Sequence, residues 1–313
     1  MPAIILTRPW TDKAMAALRR DYEVILPDRD QLYSLPEGAE AFCPLFYDTV
    51  DRKLIAALPS SVKIIASFGA GVDHIDLEAA REKGLIVTNT PGVVGDDAAD
   101  ITIGLMISAM RGFSAGEKLL RDGNWRGAAM SGLVGRKVTG KTLGIVGLGR
   151  IGEKVARRAR AFDMKILYFS RTRKEPLEKE LGLMFVPSLE EVVAISDVVS
   201  LHTPLVPQTH HLINADILKK FKPGSFLINT GRGGLVDEKA LVKALKAGPL
   251  AGAGLDVYEF EPKLAEGLQA LENVTLLPHM GSATEETRTA MGLRVKENLD
   301  AYFSTGQVKD RVA

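Results

Sequence analysis

The chain has 313 residues, with 40 Lys and Arg against 39 Asp and Glu, a net charge of +1. That balance provides no field to draw in nucleic acid or anionic lipid, so neither is expected as a partner. Hydrophobic residues make up 46% and charged residues 25%, the mix of a globular chain with a buried core in one large domain or two ordinary ones.

A lone cysteine, Cys43, excludes an intrachain disulfide framework and fits a reducing compartment. The opening "MPAIILTRPW" lacks the basic and long apolar segments of a secretory leader, and the apolar run "ITIGLMISAM" is too short for a bilayer. The expected localisation is cytoplasmic.

In chain order, "AIILT" reads as a short buried strand and "TDKAMAALRRD" as a helix capped by Thr11 or Asp12. "YEVIL", "KIIASF" and "LIVTNT" read as further strands of this first block. A second block opens near residue 99. "DAADITIGLMISAMRGFSAGEKLLRDGNW" reads as a long helix, or two. "KTLGIVGLG" is a strand entering a turn, and "RIGEKVARRARAF" is a helix with Ile151, Val155, Ala159 and Phe162 on one face. "MKILYF", "DVVSLH", "SFLINT", "GAGLDV" and "VTLLPH" are five more strands, with helical "DILKKF" and "DEKALVKALKAG" between some of them. This alternation predicts the α/β class with a doubly wound parallel sheet. "TEETRTAMGLRVKENLDAYFSTG" reads as one long amphipathic helix at the end.

Gly147, Gly149 and Gly152 spell G-x-G-x-x-G between a strand and a helix, with another strand after the helix. That context suits a dinucleotide: a tight turn at Gly147, close approach of a pyrophosphate at Gly149, and helix–sheet packing at Gly152. A competing pattern, "GRKVTGKT" from Gly135, matches a nucleoside-triphosphate phosphate loop. It is followed by a strand where that loop needs a helix, and the preceding "RGAAMSGLV" is no convincing strand, so Lys137 and Lys141 read as loop charges.

The strand "MKILYF" should end in an acid that binds the adenosine ribose, but runs into Ser170, Arg171 and Thr172. An acid there would repel a 2′-phosphate. Ser170 and Thr172 can donate hydrogen bonds to one, and the planar fork of Arg171 can pair with it. Arg173 and Lys174 add positive charge nearby. The expected cofactor is NADP, with NADPH preferred over NADH; the plainer alternative leaves Arg171 as a solvated surface residue.

Three later strand ends carry polar residues: Asn229, Thr230 and Arg232 in "SFLINTGRGG", Asp256 and Glu261 in "GAGLDVYEFEP", and His279 in "VTLLPH". Ligands of open α/β sheets bind beyond the carboxyl ends of strands. Singly, each has a bland reading as a surface arginine, a solvated acid or a hydrogen-bonded turn histidine. Together they supply a cation for a 2-keto acid and a proton donor, His279, with Glu261 as its neighbouring acid. No metal site is expected, since neither H-E-x-x-H nor a cysteine pair is present.

These segments, in order, resemble the D-isomer-specific 2-hydroxyacid dehydrogenases over essentially the whole chain: "SFGAGVDHID", "TPGVVGDDAADITIGLM", "GKTLGIVGLGRIGEKVARRARAF", "LHTPLVPQTHHLI", "LKKFKPGSFLINTGRGGLVDEKALVKAL", "GAGLDVYEFEP" and "LPHMGSAT". The resemblance implies two doubly wound lobes of Rossmann and flavodoxin-like kind with the active site in the cleft between them. It implies a nucleotide lobe over 99–284 and a substrate lobe from 1–98 completed by 285–313. It assigns catalysis to Arg232, Glu261 and His279, and the substrate carboxylate to the loop at Ala70 and Gly71, with Arg232 and His279 also touching substrate. It assigns cofactor contacts to Gly147, Leu148, Gly149, Arg150, Ile151, Gly152, Ser170, Arg171, Thr172, Pro204, Thr209, Thr230, Gly231, Arg232, Asp256, His279 and Gly281, with Asp256 on the carboxamide. Ala98 stands where many members carry Thr, which puts one cofactor contact in doubt. "LGRIG" followed by "SRT" is similar to the NADPH-using glyoxylate and hydroxypyruvate reductases. A homodimer through the segment near residues 100–140 is implied. The rival readings are an NAD-linked dehydrogenase with a larger substrate, and a dinucleotide-sensing corepressor-like binding protein.

Overall fold

The computed structural model describes residues 1–28, 31–127 and 134–313. The chain forms two compact units, Met1–Val94 with Ser282–Ala313, and Gly95–Gly281. Every strand pairing in both sheets is parallel.

The first unit holds β1 (Ala3–Leu6), α1 (Asp12–Asp21), β2 (Glu23–Ile25), β3 (Ala39–Cys43), α2 (Arg52–Ala57), β4 (Ile64–Ala66), α3 (Leu77–Glu82) and β5 (Ile86–Thr88), followed much later by the C-terminal helix Glu285–Thr305. Its sheet order is β2-β1-β3-β4-β5. Side chains alternate across a strand, and both faces are covered. Ile5 joins Leu54 and Ile55 of α2 and Ala79 of α3 on one side. Ile4 and Leu6 join Met15 and Leu18 of α1, and Met291, Val295 and Leu299 of the C-terminal helix, on the other. Both flanks being apolar is what makes the strands read as continuous hydrophobic runs. Thr11 occupies the cap position of α1, yet its hydroxyl bonds Thr289 at 2.8 Å and caps nothing, so the predicted side-chain cap does not form.

The second unit holds α4 (Gly95–Arg111), α5 (Phe113–Arg121), β6 (Thr142–Val146), α6 (Arg150–Ala159), β7 (Lys165–Phe169), α7 (Glu175–Leu181), β8 (Met184–Phe185), α8 (Leu189–Ile195), β9 (Val198–Leu201), α9 (Ala215–Lys219), β10 (Ser225–Asn229), α10 (Glu238–Ala247), β11 (Leu250–Leu255) and β12 (Val274–Leu276). The sheet order is β12-β11-β10-β9-β6-β7-β8. Leu143 and Ile145 of β6 pack with Leu105 of α4 and Val155 of α6. Val146 faces the other way, toward Val192 of α8 and Leu241 of α10.

The predicted "long helix, or two" is two: Gly112, at φ 66° in the left-handed region, separates α4 from α5. "GRKVTGKT" is irregular backbone leading into β6, so no helix follows it to hold a triphosphate. Most of "RGAAMSGLV" lies outside the described residues. No described helix is long and apolar enough to cross a membrane.

Candidate functional site

In a parallel sheet all carboxyl ends lie along one edge. Across that edge of the second unit, in spatial order, stand His279 beyond β12, Asp256 after β11, Thr230 to Arg232 after β10, Pro204 and Thr209 after β9, Gly147 to Gly152 after β6, and Ser170 to Thr172 after β7. The order reverses direction at β6, flanked by β9 and β7, which is the switch point where such sheets bind ligands.

The turn after β6 is built on close approach. Gly147 sits at φ 97°, and a Cβ there would lie 2.8 Å from the His202 and Thr203 backbone. A Cβ on Gly152 would lie 2.3 Å from the Gly147 carbonyl oxygen, so only glycine lets α6 start this near the turn. Gly149 caps α6 without any side-chain hydrogen bond, and nothing lies within 4 Å of where its Cβ would be. Uncapped N–H groups beside open space, at the positive end of a helix, fit a pyrophosphate. Leu148 is buried, Ile151 half-buried, and Arg150 exposed in the first helical turn.

At the end of β7, Ser170 is half-buried while Arg171 and Thr172 are exposed. Arg171 makes no hydrogen bond or ion pair among the described residues. Arg173 differs from the expectation that it adds charge there. Its guanidinium pairs with Glu178 through Nε at 2.9 Å and Nη2 at 2.8 Å, and Glu178 also accepts from the Tyr168 hydroxyl at 2.6 Å. Arg173 holds the Glu178 carboxyl down to about 2, so the pair stays neutral overall. The cationic group left at this strand end is Arg171, with Lys174 behind it.

After β10, the buried Asn229 organises the loop: its Oδ1 accepts from Gly231 N–H at 3.1 Å and its Nδ2 donates to Arg232 O at 2.9 Å. Arg232 is half-buried, with Nη1 donating to Gly231 O at 2.9 Å. Thr230 bonds Thr102 at 2.7 Å, and the Thr102 hydroxyl donates to Ala98 O at 2.7 Å. Thr102 thus spends its one proton on the carbonyl, and Thr230 is the donor between the two hydroxyls. The hydroxyl absent from position 98 is present one helical turn on. In the loop after β9, Thr209 donates to Pro204 O at 2.7 Å and accepts from Val206 N–H at 2.9 Å, so its hydroxyl closes its own loop.

His279 and Glu261 meet: Nδ1 and Oε2 are 2.8 Å apart, with side chains 19% and 28% exposed. A carboxylate only accepts, so Nδ1 carries the proton of this bond. The other Glu261 oxygen accepts from Tyr258 N–H at 3.0 Å. His279 has φ 54°, a left-handed conformation rare for a non-glycine residue. The turn is held there by Asp256, fully buried, whose two oxygens accept from Met280 N–H at 2.6 Å and Gly281 N–H at 2.8 Å. Burial pushes the Asp256 carboxyl up, and the backbone bonds oppose that shift. Each of its oxygens keeps a lone pair.

In the first unit, Ala70 and Gly71 follow β4 in half-buried backbone, and Asn89 Nδ2 donates to Ala70 O at 2.7 Å.

Sequence reasoning passed over Gly233. A Cβ there would stand 1.8 Å from the Tyr258 carbonyl carbon and 2.3 Å from Glu259 N. The signal was the doubled glycine in "GRGG", directly after Arg232. This contact seats the loop of Glu261 against the loop of Arg232. Because the obstruction is backbone, no rotamer relieves it. Gly233→Ala is expected to lower kcat by about 10²-fold through misplacement of Glu261 and to lower Tm; wild-type kinetics in that variant would contradict the seating.

The family model described as "D-isomer specific 2-hydroxyacid dehydrogenase, NAD binding domain" matches residues 103–281. A glyoxylate reductase of Thermococcus litoralis is 42% identical over 317 residues, covering 98% of this chain and 95% of that one. The crystal structure of a glyoxylate reductase from Paecilomyes thermophila superposes with a TM-score of 0.85 at 38% identity, over 99% of this chain and 98% of that one. An NADPH-dependent glyoxylate/hydroxypyruvate reductase from Sinorhizobium meliloti, in complex with NADP and malonate, gives 0.90 at 37% identity, over 100% and 97%. With two parallel α/β units, a dinucleotide turn at the sheet's switch point and these similarities, the chain belongs to the D-isomer-specific 2-hydroxyacid dehydrogenase family, oxidoreductases that act on CH–OH groups with a nicotinamide cofactor.

Proposed function

We propose that the protein reduces a small 2-keto acid, glyoxylate or hydroxypyruvate, to glycolate or the D-2-hydroxy acid, with NADPH as the preferred cofactor. The observation that carries this reading is the His279–Glu261 pair, at 2.8 Å, on the same sheet edge as Arg232 and the glycine turn. The names of its relatives support the substrate class.

A bound nicotinamide cofactor would supply the hydride for the keto carbon. Arg232 donates its guanidinium hydrogens to the substrate carboxylate and keto oxygen, stabilising the charge that develops there. His279 gives the Nε2 proton to that oxygen as it becomes an alkoxide, and Glu261 keeps the imidazolium oriented through Nδ1. Ala70 and Gly71 offer backbone to the substrate carboxylate. Asp256 accepts from the carboxamide with the lone pairs that Met280 and Gly281 leave. Ser170, Arg171 and Thr172 take the 2′-phosphate, and this part rests on an unpaired arginine standing where an acid would exclude phosphate.

A homodimer through the segment near residues 100–140 is part of this reading, although 128–133 lie outside the described residues. Its support is α5, which buries none of its residues and leaves Phe113 and Leu120 more than half exposed near Trp125. Light scattering is expected to give twice the 33.8 kDa chain mass; a monomer mass would remove the dimer.

His279→Ala should lower kcat for glyoxylate by about 10²–10⁴-fold while NADPH affinity stays within about twofold. Steady-state rates and a fluorescence titration of NADPH read the two effects. Full turnover in that variant would sink the assigned proton donor. Tight NADPH binding with no reduction of any small keto acid by the unaltered chain would instead favour a dinucleotide sensor.

A further inference from the structure

Glu238 is a carboxylate in an unusual place. It is the first residue of α10, is 3% exposed, and forms no ion pair among the described residues. Burial pushes its carboxyl up, and the nearby Glu259 and Glu261 carboxylates push the same way. A buried anion without a cation is costly unless its lone pairs are occupied. Here they are. Oε1 accepts from Glu259 N–H at 2.8 Å, and Oε2 accepts from Ala265 N–H at 3.2 Å. The start of α10 adds the favourable end of its dipole. The helix does not need this group as its cap, because Asp237 already accepts from Ala240 N–H at 3.0 Å.

The two amides held by Glu238 flank Glu261. Residues 259 and 265 are the feet of the loop that carries it. The first foot is held again from outside, by His211 Nε2 to Glu259 Oε1 at 2.7 Å. Gly233 receives the same backbone. Within the loop, Lys263 N–H donates to Phe260 O at 2.8 Å across Glu261, and the Glu261 side chain accepts from the Tyr258 amide before it reaches His279.

We propose that Glu238 is a positioning residue for the reaction: it clamps both feet of the loop so that Glu261 meets His279 Nδ1. It touches neither substrate nor cofactor. The inference rests on the reading of Glu261 and His279 given above.

The test uses the full chain with NADPH and glyoxylate, comparing Glu238→Ala, Glu238→Gln and Glu261→Gln. Glutamine keeps one acceptor oxygen and can hold one foot. For Glu238→Ala we expect kcat to fall about 10²-fold, with KM and NADPH affinity within about threefold. Its pH profile of kcat should move toward that of Glu261→Gln, and Glu238→Gln should lie between it and the unaltered chain. A wild-type kcat and pH profile in folded Glu238→Ala would overturn the clamp. So would a fall in kcat with an unmoved pH profile, which marks a merely structural residue. Should Glu238→Ala fail to fold, Glu238→Gln carries the same comparison. If Glu261→Gln itself leaves kcat and its pH profile unchanged, the fault lies in the Glu–His reading and not in the clamp.

Discussion

Everything in the candidate site depends on one constraint: the strands of the second unit are all parallel. Parallel pairing sends every carboxyl end to the same edge, and the strand order then fixes what stands beside what. From β7 to β12 the edge crosses five interstrand steps, about 24 Å at the usual spacing. A dinucleotide is an elongated molecule with three kinds of group to recognise. Along this edge lie an arginine suited to a 2′-phosphate, a glycine turn suited to a pyrophosphate, and, at the other strand ends, Arg232 and the Glu261–His279 pair, suited to the reacting end. Apolar clusters bury the sheet on both sides beneath that edge.

The loops on the edge are ordered by buried polar side chains that bond to backbone. Asn229 closes the turn before Arg232, Asp256 closes the turn after His279, and Glu238 grips the loop of Glu261. Each such group would be expensive if left unsatisfied, and each is placed where it accepts at least one amide hydrogen. A net bond contributes only about 0.5–1.5 kcal/mol, so their value lies in geometry. The left-handed backbone of His279 is one conformation that such bonds maintain.

Much of this was legible in the sequence because periodicity and turn chemistry agreed. The glycine turn announced itself by its strand–turn–helix context, and the strand-end residues by the buried runs before them. What escaped shows why. β3, "AEAFC", pairs with both β1 and β4 near the centre of its sheet, yet alanine and glutamate carry little strand preference, and its burial is imposed by neighbours. β8 has only two residues, too few for any period. Thr11 has the chemistry of a cap, but a threonine 278 positions away competes for its hydroxyl. Arg173 looked like part of a phosphate site until the following helix brought Glu178 to it. Gly233 and Glu238 act on a loop that lies more than twenty residues further along the chain, and no local pattern reports such a contact.

The most direct test is kcat/KM for NADPH and for NADH with glyoxylate as substrate. If the Ser170–Thr172 strand end makes the two charge-assisted contacts proposed for the 2′-phosphate, NADPH is preferred by at least about 10- to 100-fold. Equal or better values with NADH would mean that Arg171 faces solvent, and that the missing acid at the end of β7 does not select the cofactor.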